Sequence, residues 1–278
     1  MFGLIGPDGA GKTTTIRTIC GLLAPDAGAV RVLGLDPVRD HRRLTDSVGY
    51  LSQRFSLYGD LTVDENVAFF AQIHNQRDYR TRRDRLLEMT QLAPFRGRLA
   101  DQLSGGMKQK LALACTLVHE PALIVLDEPT TGVDPVSRRE LWKLLSEFLS
   151  EGITIVVSTP YLDEAERCSR VALMSGGRLL ALDRPAALDA SLPGTVLEIT
   201  VAEPRRAIAA LAGRPGVLDA QLFGGRVHVR VAGRSGEVDV AASIGAHLQA
   251  AGLAVRAIRA IPATLEDVFI SRLTEAAP

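Results

Sequence analysis

Charge of one sign is missing from this 278-residue chain, because 32 basic residues are matched by 32 acidic ones. With no net field there is no general attraction for nucleic acid or for an anionic surface. Cysteine is scarce. Cys20, Cys115 and Cys168 lie far apart, which excludes a disulfide framework and reads as small buried hydrophobes in a reducing compartment. The five histidines show no metal-ligand spacing. Long hydrophobic runs are also absent: no segment approaches the ~20 apolar residues that span a bilayer, and no secretory signal opens the chain. These absences predict a soluble, cytosolic protein with no membrane span of its own, so that any membrane attachment comes through a partner. Lysine is thin as well. Only Lys12, Lys108, Lys110 and Lys143 occur, and two of them fall inside the motifs below.

What is present is concentrated near the start. Gly6-Pro7-Asp8-Gly9-Ala10-Gly11-Lys12-Thr13, followed by Thr14, comes directly after the apolar run Phe2-Gly3-Leu4-Ile5. A strand, a glycine loop and a helix start form the context in which this spacing cradles nucleotide phosphates. Glycines let backbone N–H groups turn inward around an anion, and a helix opening at Lys12 adds its positive end. Lys12 can reach the outer phosphates, and the Thr13 hydroxyl can ligate Mg²⁺.

Short apolar runs at Phe2–Ile5, Leu123–Leu126, Ile153–Val157 and Val171–Met174 predict four buried strands separated by helical patterns. The expected fold class is α/β, a three-layer sandwich around a mostly parallel sheet. A polar, helix-prone insertion runs from about residue 64 to 99, and its Arg-rich stretch 77–85 reads as a solvated helix face. After Leu180 the texture changes. Pro185, Pro193 and Gly194 mark a linker, and the pattern beyond it reads β-α-β-β-α-β, which predicts a small α+β, split-βαβ domain. The expected domains are 1–190 for nucleotide binding, with a helical subdomain at about 64–120, and 193–278. The smaller domain shows neither a catalytic cluster nor an aromatic nucleic-acid platform, and reads as a regulatory or dimer-supporting module.

Two further segments carry chemistry. In Leu103-Ser104-Gly105-Gly106-Met107-Lys108-Gln109, Ser104 is a natural helix N-cap and the glycines keep the helix entrance bare, which gives a second phosphate-binding face. The stripe Met107, Leu111, Ala114, Cys115 and Val118 would anchor that helix in the core. In Leu123-Ile124-Val125-Leu126-Asp127-Glu128-Pro129, a buried strand ends in two acids at the carboxyl edge of the sheet, where open α/β sheets bind ligands. Asp127 can hold Mg²⁺ through water, opposite Thr13. Glu128 is placed to polarise an attacking water.

Together these motifs resemble the ATP-binding subunits of ABC transporters, a P-loop NTPase fold, over roughly residues 1–180. Gln53 stands where that family has its glutamine loop, and Thr131-Gly132-Val133-Asp134 where it has its D-loop. The resemblance implies two such domains closing face to face, as a homo- or heterodimer. Each ATP would lie between one phosphate loop and the Ser104-Gly105-Gly106 segment of the other domain. Gln53 would ligate Mg²⁺ and sense the γ-phosphate, and residues 54–65 would contact a separate membrane permease. The stretch Gln53–Tyr58 and the tail Thr264–Phe269 look most like subunits of multidrug and antibiotic exporters, so the expected place is peripheral, on the inner face of the plasma membrane. An ABC-type ATPase of DNA repair or translation is the more distant reading.

The chain departs from the family pattern twice. Pro160 follows Ile155–Thr159 where the family usually has a histidine touching the γ-phosphate, and proline offers no donor. Locally, Thr159 reads as the N-cap and Pro160 as the first residue of a helix 161–168. This departure raises the alternative of a catalytically weak, mainly regulatory half of a heterodimeric pair. In addition, only five residues precede Gly6, where the family has further strands and an aromatic that stacks on adenine. Their loss predicts an uncovered sheet edge.

Overall fold

The structure, a computed structural model, describes residues 1–54, 57–233 and 238–276. The chain divides into two compact units, Met1–Leu182 and Asp183–Pro278. In chain order the first contains β1 (Phe2–Ile5), α1 (Lys12–Ile19), α2 (His41–Thr45), β2 (Val48–Leu51), α3 (Val63–Ile73), α4 (Arg80–Met89), α5 (Gly105–Leu117), β3 (Leu123–Asp127), α6 (Pro135–Ser150), β4 (Thr154–Thr159), α7 (Leu162–Ala165), β5 (Arg170–Ser175) and β6 (Arg178–Asp183), the last reaching the junction.

These strands form one sheet in the order β2-β3-β4-β1-β5-β6. Pairing from β2 through β5 is parallel throughout. Gly176 and Gly177, both at positive φ, join β5 to β6 in two residues, a link that only an antiparallel hairpin permits. Alternate residues serve opposite faces. Leu4, Leu123, Val125, Ala172 and Met174 pack with Ile16, Cys20 and Leu44 from α1 and α2. Ile5, Ile124, Leu126, Ile155, Val157, Val171 and Leu173 are also fully buried, so both faces of the sheet are covered. The result is an α/β fold with a helical insertion.

Helix starts follow local chemistry. Thr62 and Glu65 close a capping box on α3. Asp134 caps α6, whose first residue is Pro135. Ser104 accepts from Met107 N to start α5. That helix is buried nearly all round, with Gln109, Lys110, Leu113 and Leu117 enclosed along with Leu111, Ala114 and Cys115. The expected stripe is therefore too narrow, and its first member, Met107, is only half-buried.

Several expectations need correction. β2 and β6 were absent from the sequence reading. Val48-Gly49-Tyr50-Leu51 is as short as β1 but has no glycine loop after it to mark its end, and β6 is largely exposed along its length. The Arg-rich stretch is only partly solvated: Arg83 pairs with Asp64 and Asp84, and Arg82 with Glu120. Pro160 lies outside α7, and Thr159 ends β4 rather than capping a helix. Its hydroxyl instead accepts from Tyr161 N at 3.0 Å, a local turn.

The second unit holds α8 (Pro185–Ser191), β7 (Thr195–Val201), α9 (Pro204–Leu211), β8 (Val217–Phe223), β9 (Arg226–Val231), α10 (Val238–Ala250), β10 (Val255–Ile261) and α11 (Leu265–Ala276). The segment expected as a plain linker contains α8, with Pro185 at its first position. The four strands form an antiparallel sheet in the order β10-β7-β9-β8. Its core joins Leu197, Ile199, Val227 and Val229 to Leu211 of α9 and Leu248 of α10.

Candidate nucleotide site

The loop between β1 and α1 is shaped by three glycines for different reasons. Gly9 and Gly11 take positive φ, 77° and 96°, where a side chain is disfavoured. Gly6 needs its bareness for space, because a Cβ there would lie 2.2 Å from the Met174 carbonyl oxygen of β5. Ala10 is buried in the core and fixes the middle of the loop. Residues Asp8 to Thr14, with Gln53 and Glu128, line a cavity of about 360 Å³.

Lys12 is 3% exposed and its three donors are all used. Nζ lies 2.8 Å from Gly6 O, 3.1 Å from Pro7 O and 3.0 Å from Glu128 Oε1. Glu128 Oε2 also accepts from Gln53 Nε2 at 3.0 Å and from Thr131 Oγ1 at 3.3 Å. Gln53 comes two residues past β2 and is exposed. Asp127, the last residue of β3, accepts from Thr13 Oγ1 at 3.1 Å and from Ser158 Oγ at 2.7 Å. The Asp127 charge is felt nearby. Burial, reinforced by Asp127, lifts the Cys20 thiol to about 12, and the same two causes raise Tyr50.

Sequence reasoning missed Ser158, and placed Thr131 only at the start of the D-loop match, not as a partner of Glu128. Ser158 Oγ donates to Asp127 and accepts from Glu128 N at 3.0 Å, so one hydroxyl at the end of β4 braces both acids. Its signal was a polar pair, Ser158-Thr159, closing an otherwise apolar strand.

The structure brings the loop, Gln53, Asp127 and Glu128 together. Ser104, Gly105 and Gly106 do not line that cavity. Ser104 and Gly105 are exposed at the start of α5, and Gly106 is buried, where a Cβ would meet Ser137 Oγ of α6 at 2.3 Å. Of the expected permease-contact stretch 54–65, Phe55 and Ser56 lie outside the described residues. Its remainder is pinned by buried Asn66, which bonds Tyr58, Leu61 and Thr62 backbone groups.

The donor set fits a Mg²⁺-bound triphosphate. Among the described residues, no three His, Cys, Asp or Glu converge as an all-protein metal cage. Mg²⁺ in nucleotide sites keeps mostly phosphate and water ligands beside one or two carboxylates, and Asp127 supplies a carboxylate next to Thr13, with Gln53 lining the same cavity.

A mostly parallel sheet with a glycine loop beyond its interior strand β1, a lysine inside that loop and an Asp-Glu pair at the end of β3, across the intervening β4, define a P-loop nucleotide-binding protein. The ABC transporter family profile matches residues 1–131. The probable multidrug ABC transporter ATP-binding protein YbhF of Escherichia coli K12 is 52% identical over 196 residues, 70% of this chain. That match spans only 34% of YbhF, about a third of its length. The daunorubicin resistance ATP-binding protein DrrA3 of Streptomyces coeruleorubidus is 35% identical, covering 97% of this chain and 86% of its own length. Among solved structures, the dimeric post-hydrolysis ATP-binding cassette MJ0796, bound to ADP and Pi, superposes with a TM-score of 0.59 at 27% identity, over 66% of this chain and 84% of the cassette. The chain belongs to the ABC transporter family, as an ATP-binding domain of that family.

Proposed function

We propose that this chain is the ATP-hydrolysing subunit of an exporter, driving a separate membrane permease from the inner face of the plasma membrane. The observation that carries this reading is Glu128, set at the mouth of the phosphate-loop cavity within reach of Lys12 and Gln53. In the proposed division of work, residues 6–14 hold the triphosphate, and Thr13, Asp127 and Gln53 hold Mg²⁺, which offsets phosphate charge when bound. Glu128 takes a proton from the attacking water. To do so it must part from Lys12, whose Nζ turns to the phosphates. Ser104, Gly105 and Gly106 serve the nucleotide of a second ATP-binding domain, and their position outside their own cavity supports that assignment. Residues 1–190 form the ATP-binding domain, with a helical subdomain at about 64–120, and residues 193–278 a regulatory or dimer-supporting domain.

The names of the relatives favour drug or antibiotic export, and no helix among the described residues is long and apolar enough to cross a membrane, which is why a permease is invoked. Co-purification of the full chain with a polytopic permease, and ATP turnover by that assembly, test the reading. A chain that purifies alone from membranes, with no ATP turnover in any assembly, would contradict it.

Pro160 favours a second reading, a slow site completed by a better-equipped partner domain. It follows β4 with neither N–H nor side-chain donor. Loss of a comparable transition-state donor lowers rates by about 10²–10³. Pro160→His should then raise turnover of the assembled transporter, and an unchanged rate would remove this reading.

A further inference from the structure

Glu164 on α7 is 1% exposed, yet it lies outside the cavity and outside every motif above. Its Oε2 accepts from Thr130 Oγ1 at 2.9 Å and Thr159 Oγ1 at 2.6 Å. Its Oε1 accepts from Trp142 Nε1 at 3.1 Å, with Arg138 Nε at 3.5 Å. One carboxylate therefore joins the turn after β3, the end of β4, α6 and its own helix. Burying such a group is costly unless its lone pairs are all engaged, and an apolar side chain could fill the same space. The location suggests what the carboxylate is for.

Thr130 is two residues beyond Glu128, whose φ is 49°. A non-glycine residue in that left-handed region is strained and persists only where its surroundings over-determine it. Three restraints act on this turn. Glu128 N donates to Ser158 O and Oγ, at 3.2 and 3.0 Å. Thr131 N donates back to Glu128 O at 3.2 Å. Beyond Pro129, which has no N–H to give, the Thr130 hydroxyl is held by Glu164. The two anchors converge on neighbouring residues, since Ser158 fixes Glu128 and Thr159 shares the Glu164 oxygen that fixes Thr130.

We infer that Glu164 is a positioning residue for Glu128, clamping the turn 128–131 against the end of β4 so that the Glu128 carboxylate stays aimed into the phosphate cavity. The inference rests on Glu128 acting as the base in ATP hydrolysis. A group that only stabilised the fold would change the folded fraction and leave turnover per folded molecule alone.

The test uses the full chain with Mg-ATP, measuring kcat, ATP affinity and folded fraction for Glu164→Ala, Glu164→Gln and Thr130→Val. Misplacing a catalytic group by about 1 Å can cost 10²-fold. Glu164→Ala and Thr130→Val should therefore lower kcat about 10- to 10²-fold, while ATP affinity stays within about twofold. Glu164→Gln should restore most of the rate, because both threonine hydroxyls can accept from its amide while its carbonyl still faces Trp142 and Arg138. Adding Glu164→Ala to Glu128→Gln should produce no further loss, since the group being aimed is already gone. Unchanged kcat per folded molecule in both Glu164→Ala and Thr130→Val, or the full loss persisting in the Glu128→Gln background, overturns the proposal. Should Glu164→Ala not fold, Thr130→Val decides alone. Wild-type turnover by Glu128→Gln itself overturns the assignment of the base and this proposal with it, whereas an inactive Glu128→Gln beside fully active Glu164→Ala and Thr130→Val overturns this proposal only.

Discussion

Glu128 and Lys12 share an ion pair inside a cavity proposed to need each for something else, and this separates the effects of their substitution. Glu128→Gln should cut turnover by about 10²–10⁴ without weakening ATP binding, because Lys12 loses a competitor for the phosphates. Lys12→Ala should weaken binding itself. Equilibrium nucleotide binding beside steady-state turnover distinguishes them, and equal losses of affinity in both variants would contradict the division of roles. Gly105 and Gly106 look alike in sequence but differ in space. Gly105→Ala adds a methyl in open space and should leave the melting temperature nearly unchanged. Gly106→Ala drives a Cβ into Ser137 and should cost about 1–3 kcal/mol, read by thermal melting. The loop residues that meet in the cavity were legible because their spacing is itself the mechanism. Ser158 was not, since a serine ending a strand carries no sign of which backbone N–H and which acid it will meet.

Elements were legible where their periodicity was long. β7 stands out through alternation and α10 through its length, whereas β2 and β6 were missed, one for want of a flanking motif and one for exposure. The helix α7 shows the limit of cap rules: Thr159-Pro160 is a sound helix start by local chemistry, but β4 extends through Thr159 because its hydroxyl is needed inside. The sheet of the second unit offers a test at this scale. Glu198 on β7 is held by Arg226 at 2.8 Å and by Arg259 at 2.7 Å, and these hydrogen bonds pull its carboxyl down to about 2. A depressed carboxyl contributes stability above its unfolded value and loses it as pH falls. Melting of the wild-type chain should therefore weaken between about pH 4.5 and pH 2, and Glu198→Gln should flatten that part of the curve. An unaltered slope in the variant would show that Glu198 is not the group titrating.

At the scale of the whole molecule, burial decides what the scarce residues do. Among the described residues all three cysteines are buried and free, and burial raises each thiol, Cys20 to about 12 and Cys168 to about 11. Iodoacetamide at pH 8 should label none of them until denaturant opens the fold. A raised thiol contributes stability that is full below its unfolded value and is lost as pH climbs toward its folded one, so melting temperature should fall as pH rises above about 9. The stacked pair His74 and His119, 3.7 Å between ring centres, works in the opposite direction. Burial lowers His119 to about 4, and its stabilising effect fades as pH drops from about 6.5 toward 4. Composition foretold that cysteines would be inert, but not that two histidines from separate helix ends would stack, because their meeting depends on a fold that brings residues 74 and 119 together. The ion pair between Lys12 and Glu128 has one further consequence. Under the proposed roles, the cation assigned to the triphosphate and the carboxylate assigned to the water hold each other at 3.0 Å, so neither can act until the other is drawn away. On that reading a phosphate competing for the cation would unmask the acceptor in a single exchange, which makes fuel its own ignition key.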